Sequence, residues 1–198
     1  MSIESIIWYS KSKNAIPLNR RLRSKNKLTE EQSIHYKNIM SEIYKNKSTK
    51  DIQLYRGIQK MTPEKVKKML EKQHLAFIST TKIKDYTFYT SPYIGCCFLI
   101  INVPKGTPML DISKYSKYKD EEEIILPPGI LTLKSEYDQK LKNYKSESYM
   151  KVYTCEYRPL IKVKVSKLKE CISNILKIDT TKMKVSKMVD IIENTFKS

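Results

Sequence analysis

From residue 51 onward the chain is cut into short apolar runs by prolines, glycines and polar turns, and this pattern constrains the fold most. The runs "IQLYRG", "LAFISTT", "CCFLIINVP", "PMLDIS", "EEEIILPPG", "ILTLKS", "YTCEYRPL" and "IKVKVSKL" read as strands. One helical segment interrupts them, "TPEKVKKMLEK", with Thr62 as cap and Pro63 in the first turn. With so little βα alternation, the pattern argues for an α+β fold on mostly antiparallel sheets, not a doubly wound parallel sheet. Residues 1–50 read as helical. Pro17 suits a first-turn position ahead of "LNRRLRS". "TEEQ" (Thr29 to Gln32) has the form of a capping box, and Tyr36, Ile39, Met40, Ile43 and Tyr44 then recur at helical spacing. A last helix is expected over Thr180–Phe196. The 198 residues suit one domain: a helical part (1–50), a β-rich core (51–168) and a C-terminal helical extension (169–198).

The charge is 38 basic against 21 acidic residues, a net +17. Such a field attracts nucleic acid, acidic proteins or anionic substrates without selecting among them. Lysine makes most of the excess; arginine occurs only at Arg20, Arg21, Arg23, Arg56 and Arg158. Lysine is a point charge on a flexible stem, whereas arginine's planar fork suits a phosphate. The arginines therefore mark where specific anion contacts are expected. Cys96, Cys97, Cys155 and Cys171 lack metal-ligand spacing and read as small buried hydrophobes in a reducing compartment. No metal site is visible, and His35 and His74 read as structural. "MSIESIIWYSKSKNAIP" has too short an apolar run for a signal peptide, and no segment is long enough to span a bilayer. The expectation is a soluble chain in its own or a host's cytoplasm, without membrane insertion; its oligomeric state is open.

Three short stretches carry possible chemistry. In "EEEIILPPG", alternation along a strand puts Glu121 and Glu123 on one face with Ile125, and Glu122 on the other. Two carboxylates beside apolar surface can divide acid, base and electrostatic roles. The plainer reading is a solvated acidic loop end offsetting Lys114, Lys117 and Lys119, and a register one residue back would pair Asp120 with Glu122. In "LYRG", Arg56 at a strand end beside Gly57 can present its fork to a pyrophosphate, or be a surface arginine next to a turn glycine. In "FISTT", Ser79 and Thr81 share a face where hydroxyls can hold a carboxylate or a ligand; threonine is also common in strands.

Taken in order, "LYRG", "FISTT" and "EEE" resemble the R-S-E branch of the ADP-ribosyltransferase toxin family. "FLIINVPKGTPMLDIS" looks like the family's strand, turn and strand between its second and third motifs. "NRRLR" resembles its N-terminal helix motif, giving Asn19 and Arg23. The similarity runs in order through roughly residues 5 to 165. One departure is Ala15, four residues before Asn19, where the family often carries tyrosine; Tyr9 or Trp8 is the candidate replacement.

The resemblance implies the family's fold: two mostly antiparallel β-sheets packed as a sandwich, with N-terminal helices and a C-terminal helix. It also implies that NAD, as co-substrate and without a metal, is cleaved between nicotinamide and ribose, and that ADP-ribose passes to a nucleophile. Glu123 is then expected to stabilise an oxocarbenium-like transition state beside the ribose, and Ser79 to hold Glu123. Arg56 is expected to bind the pyrophosphate, supported by Arg23 and Asn19. Gly57, Thr80 and Thr81 complete the expected NAD site, with Phe88 and Tyr89 at the nicotinamide end or simply packing in their loop. Glu121 faces the acceptor, together with Tyr115 or Tyr118 as the aromatic that reads the substrate. In the family, glutamate at the position of Glu121 accompanies arginine acceptors, so the expected partner is a protein arginine. The alternatives are a transferase acting on nucleic acid, or a basic nucleic-acid-binding module on the same fold.

Overall fold

In the computed structural model of this chain, the capping box expected at Thr29 forms. Its hydroxyl accepts from the Gln32 amide at 3.2 Å, and the Gln32 side chain accepts from the Thr29 amide at 3.2 Å. That cap starts helix α3 (Glu30–Lys45). The structure describes residues 3–59, 61–84, 97–116, 119–140 and 149–160. The chain divides into two units, Met1–Leu160 and Ile161–Ser198. The second unit, which holds the expected strand "IKVKVSKL" and the expected C-terminal helix, lies outside the described residues.

Two helices precede α3: α1 (Ile3–Ser10) and α2 (Ser12–Arg23). Pro17 lies inside α2, not in its first turn. This corrects the expected helix start, because an interior proline removes a helical hydrogen bond. Two tertiary features offset the loss. Ala15, Leu18 and Leu22 recur at i, i+3 and i+7 and pack into one core. Asn14 Nδ2 donates to the Trp8 carbonyl at 2.8 Å and ties α2 to α1.

The strands are β1 (Ile52–Ile58), β2 (Gln73–His74), β3 (Ile78–Thr81), β4 (Cys97–Val103), β5 (Leu110–Asp111), β6 (Glu123–Leu126), β7 (Gly129–Lys140) and β8 (Tyr149–Pro159). Helix α4 (Pro63–Leu70) follows β1 with Thr62 as cap, as predicted. Every pairing is antiparallel except that of β4 with β8. The α+β fold stands, but the expected two sheets are one continuous eight-stranded sheet in the order β2-β7-β8-β4-β1-β3-β6-β5. The join between its halves is narrow. All four residues of β3 pair with β6, whereas β3 meets β1 only where Tyr55 lies opposite Thr81.

Alternation then sorts side chains into two main cores. Leu54, Ile78, Leu99, Ile124 and Leu126 enter one, which α4 covers with Val66 and Leu70. Phe77, Leu110 and Ile125 enter the other, against Ile6, Leu18, Ile39 and Ile43 of the N-terminal helices. Burial of this kind contributes about 1.5–3 kcal/mol per large aliphatic side chain. Cys97 and Cys155 are buried free thiols, as read from the sequence.

Gly129 opens β7 directly beneath Tyr157. A Cβ there would overlap the Tyr157 ring and crowd the Arg158 carbonyl. The ring is pinned, because its hydroxyl donates to the Pro127 carbonyl at 2.7 Å. Gly129→Ala is expected to destabilise the protein by about 1–3 kcal/mol. Urea unfolding checks this: the midpoint should fall with the slope unchanged, and an unmoved midpoint would refute the clash.

Candidate active site

Glu123 is the first residue of β6, and strand pairing sets its position. The register places Thr81 opposite Glu123 and Ser79 opposite Ile125. Ile125 points into the core beneath the N-terminal helices, so alternation turns Glu123 to that side too. There the Ser79 hydroxyl donates to Glu123 Oε1. The Ser79 carbonyl accepts from Arg56 Nη1 at 2.6 Å. One serine thus braces both the carboxylate and the guanidinium.

Glu121 reaches the same cavity by a different route from the one expected. It does not share a strand with Glu123; it ends a 3-10 turn (Lys119–Glu121). Glu122 follows at φ 41°, in the left-handed region, which costs a non-glycine residue about 1–2 kcal/mol. Thr81 Oγ1 donates to the Glu121 carbonyl, and the Lys82 amide reaches the Glu122 carbonyl at 3.4 Å. These bonds hold the turn. Glu121 and Glu123 line one cavity of about 310 Å³. Glu122 lines a separate one with Lys82, Lys114 and Lys119. The expected working pair is therefore brought together, by a turn and not by alternation.

The opposite wall comes from α1 and α2. Asn19 Nδ2 donates to the Tyr9 hydroxyl at 2.8 Å, and its Oδ1 accepts from the Phe77 amide at 3.2 Å. Asn19 thus fastens both helices to the strand that carries Ser79. Of the two aromatics considered in place of Ala15, Tyr9 lines the cavity, whereas Trp8 stacks on His35 with ring centroids 4.3 Å apart. Arg23 projects from the end of α2 into the cavity.

The other predicted residues have varied places. Gly57 lines a neighbouring cavity together with Arg56 and Arg23. The Thr80 hydroxyl donates to the Ile124 carbonyl at 2.8 Å, and so braces β3 on β6. Tyr115 packs against the core under the N-terminal helices. Phe88, Tyr89 and Tyr118 lie outside the described residues. His74, read from the sequence as structural, lines the cavity that Gly57 shares.

Burial pushes the Glu123 carboxyl above its ordinary range, and Glu121 adds to this; the Ser79 hydrogen bond and Arg56 pull the other way. Burial also pulls the Arg56 guanidinium down, as does repulsion from Arg23, against the pull of Tyr9 and Glu123. The site therefore sets a partly desolvated anion beside two cations, one of them held close by a shared brace. Such a set suits a ligand with an anionic centre and a neighbouring atom that becomes positive.

The model of the ADP-ribosyltransferase exoenzyme family matches residues 4–148. The chain belongs to this family. No curated protein sequence matches it, but solved ADP-ribosyltransferases share its fold. Plx2a, a toxin from Paenibacillus larvae, is 17% identical with a TM-score of 0.63, over 79% of this chain and 85% of that one. The Clostridium limosum C3 exoenzyme is 18% identical with a TM-score of 0.61, over 80% and 86%. BECa of the C. perfringens binary enterotoxin, solved with NADH, is 19% identical with a TM-score of 0.59, over 80% of this chain and 44% of its own. The three residues read from the sequence as the R-S-E set, Arg56, Ser79 and Glu123, lie together.

Ionising Glu123 is harder in the folded chain than in the unfolded one. Its raised carboxyl therefore contributes stability that is complete below about pH 4.5 and is lost as pH climbs through the folded value. Glu123→Gln keeps an acceptor for Ser79 and removes the titration. Its stability relative to the parent is expected to rise between acid and neutral pH, measured by denaturant unfolding across that range. A pH-independent difference would contradict the raised carboxyl.

Proposed function

We propose that the protein is a mono-ADP-ribosyltransferase that takes ADP-ribose from NAD and places it on an arginine of an acceptor protein. The observation that carries this reading is the single cavity holding Glu121 and Glu123 opposite Arg23 and Arg56. The NAD donor supplies a pyrophosphate and a ribose whose bond to nicotinamide is broken. Arg56 gives its Ser79-bound fork, and Arg23 one that no described acidic residue pairs, to the pyrophosphate. Glu123, half-buried and anchored by Ser79, lies beside the ribose, where positive charge grows as the bond to nicotinamide breaks. A fixed carboxylate there needs no reorganisation, and its low-dielectric setting strengthens it.

Glu121 sits on a turn at the edge of the same cavity, still partly exposed. From there its carboxylate pairs with an incoming guanidinium in the bidentate geometry that planar groups favour. It accepts the proton released as the guanidinium nitrogen bonds the ribose carbon. An uncharged amide at that position neither pairs with nor deprotonates a guanidinium, so arginine selectivity rests on this residue.

Glu121→Gln is expected to lower transfer to arginine by about 100-fold or more while hydrolysis of NAD continues. Glu123→Ala is expected to lower both by about 100- to 1,000-fold. The assay is nicotinamide release alongside mass spectrometry of the acceptor. Equal loss of both activities in Glu121→Gln, or label on another side chain or on nucleic acid, would sink the arginine assignment.

A further inference from the structure

The active-site cavity meets a larger one, of about 670 Å³, at Arg23 and Arg56, which line both. Beyond the arginines, its wall is α4 and the segment just after it. Lys65, Lys68 and Lys72 stand there at i, i+3 and i+7, about one helical turn apart. Among the described residues, no acidic side chain lines this cavity. None of the three lysines has an acidic partner among the described residues, whereas the adjacent Lys67 pairs with Glu136 at 3.1 Å. Ile58, Met69 and Leu131 supply apolar surface. His74 also lines the cavity, and its Nε2 is buried with no hydrogen-bond partner among the described residues.

The dinucleotide donor is linear. On the function proposed above, on which this step rests, its nicotinamide ribose lies at Glu123 and its pyrophosphate on the arginine pair. The adenosine half must then extend into the larger cavity. A pyrophosphate carries two negative charges, and Arg23 and Arg56 match them. Adenosine is uncharged, yet three more cations face it. Unpaired lysines gathered around one cavity repel each other, and their arrangement matches a further anion. We propose that the cavity takes a phosphomonoester on the adenosine, and that the enzyme uses NADP in preference to NAD, with Lys65, Lys68 and Lys72 around the 2′-phosphate. The His74 ring, with its free Nε2 among the described residues, faces the same adenosine half. Burial, with the two arginines, holds His74 down to about 4, so it is neutral at pH 7 and offers one donor and one acceptor. The bond that breaks and the bond that forms are unchanged; the transferred group carries one more phosphate.

Binding of adenosine 2′,5′-bisphosphate and of AMP, measured by calorimetry, needs neither acceptor nor catalysis. The bisphosphate is expected to bind about tenfold or more tightly than AMP. Nicotinamide release should give a higher kcat/KM with NADP than with NAD. The double substitution Lys68→Gln with Lys72→Gln should lower the NADP-to-NAD ratio of kcat/KM about tenfold, and Lys65→Gln should lower it in the same direction. Equal binding of the two nucleotides, or a ratio that stays put in all these variants, overturns this inference and leaves the NAD reading standing. Failure of either nucleotide to bind overturns both.

Discussion

The site depends on the double bonding of Ser79. Its hydroxyl holds Glu123 and its carbonyl holds Arg56. A carboxylate and a guanidinium this close would otherwise collapse into a direct ion pair. That pair would cancel the charges and close the space between them. A shared neutral brace keeps both charges facing the cavity. The brace is itself fixed, because β3 is paired along its whole length with β6. Thr80 and Thr81 reinforce it with hydroxyl bonds to the Ile124 and Glu121 carbonyls. The three hydroxyls of "STT" thus do one job, registering two short strands so that one carboxylate is aimed.

Two non-glycine residues among those described, Lys25 and Glu122, have a left-handed backbone, and one of them lies in the acidic run. Glu122 adopts a left-handed backbone with no glycine to ease it. The distortion separates the three glutamates. Glu123 continues into the sheet, Glu121 turns toward the same cavity, and Glu122 faces lysines elsewhere. A regular strand would have given the same face assignment but a straighter edge. The turn instead leaves Glu121 partly exposed while Glu123 is pressed against apolar surface. The two carboxylates therefore meet different environments, as a division of labour between them requires.

Much of this was legible in the chain because it is local. Capping residues, apolar runs and turn prolines lie within a few positions of the elements they determine, and Arg56, Ser79 and Glu123 fall at strand positions that periodicity can read. The features that the sequence missed or left open depend mostly on distant partners. Pro17 sits inside α2 because Leu18 and Leu22 find a core built from other helices and strands. Tyr9 joins the site only because α1 folds against α2, ten residues ahead of the Asn19 it meets. The single sheet depends on one backbone pairing, Tyr55 with Thr81, between strands far apart in sequence. The positive φ of Glu122 has no compositional marker, since the usual glycine is absent.

That narrow pairing has a mechanical consequence. Arg56 stands on one side of the Tyr55–Thr81 junction and Glu123 on the other, so the two charges straddle the narrowest seam of the sheet. A molecule gripped by both charges bridges that seam and acts as a clasp across it. Binding of such a molecule and cohesion of the two half-sheets are then one linked equilibrium. Wherever the halves part, the site comes apart with them.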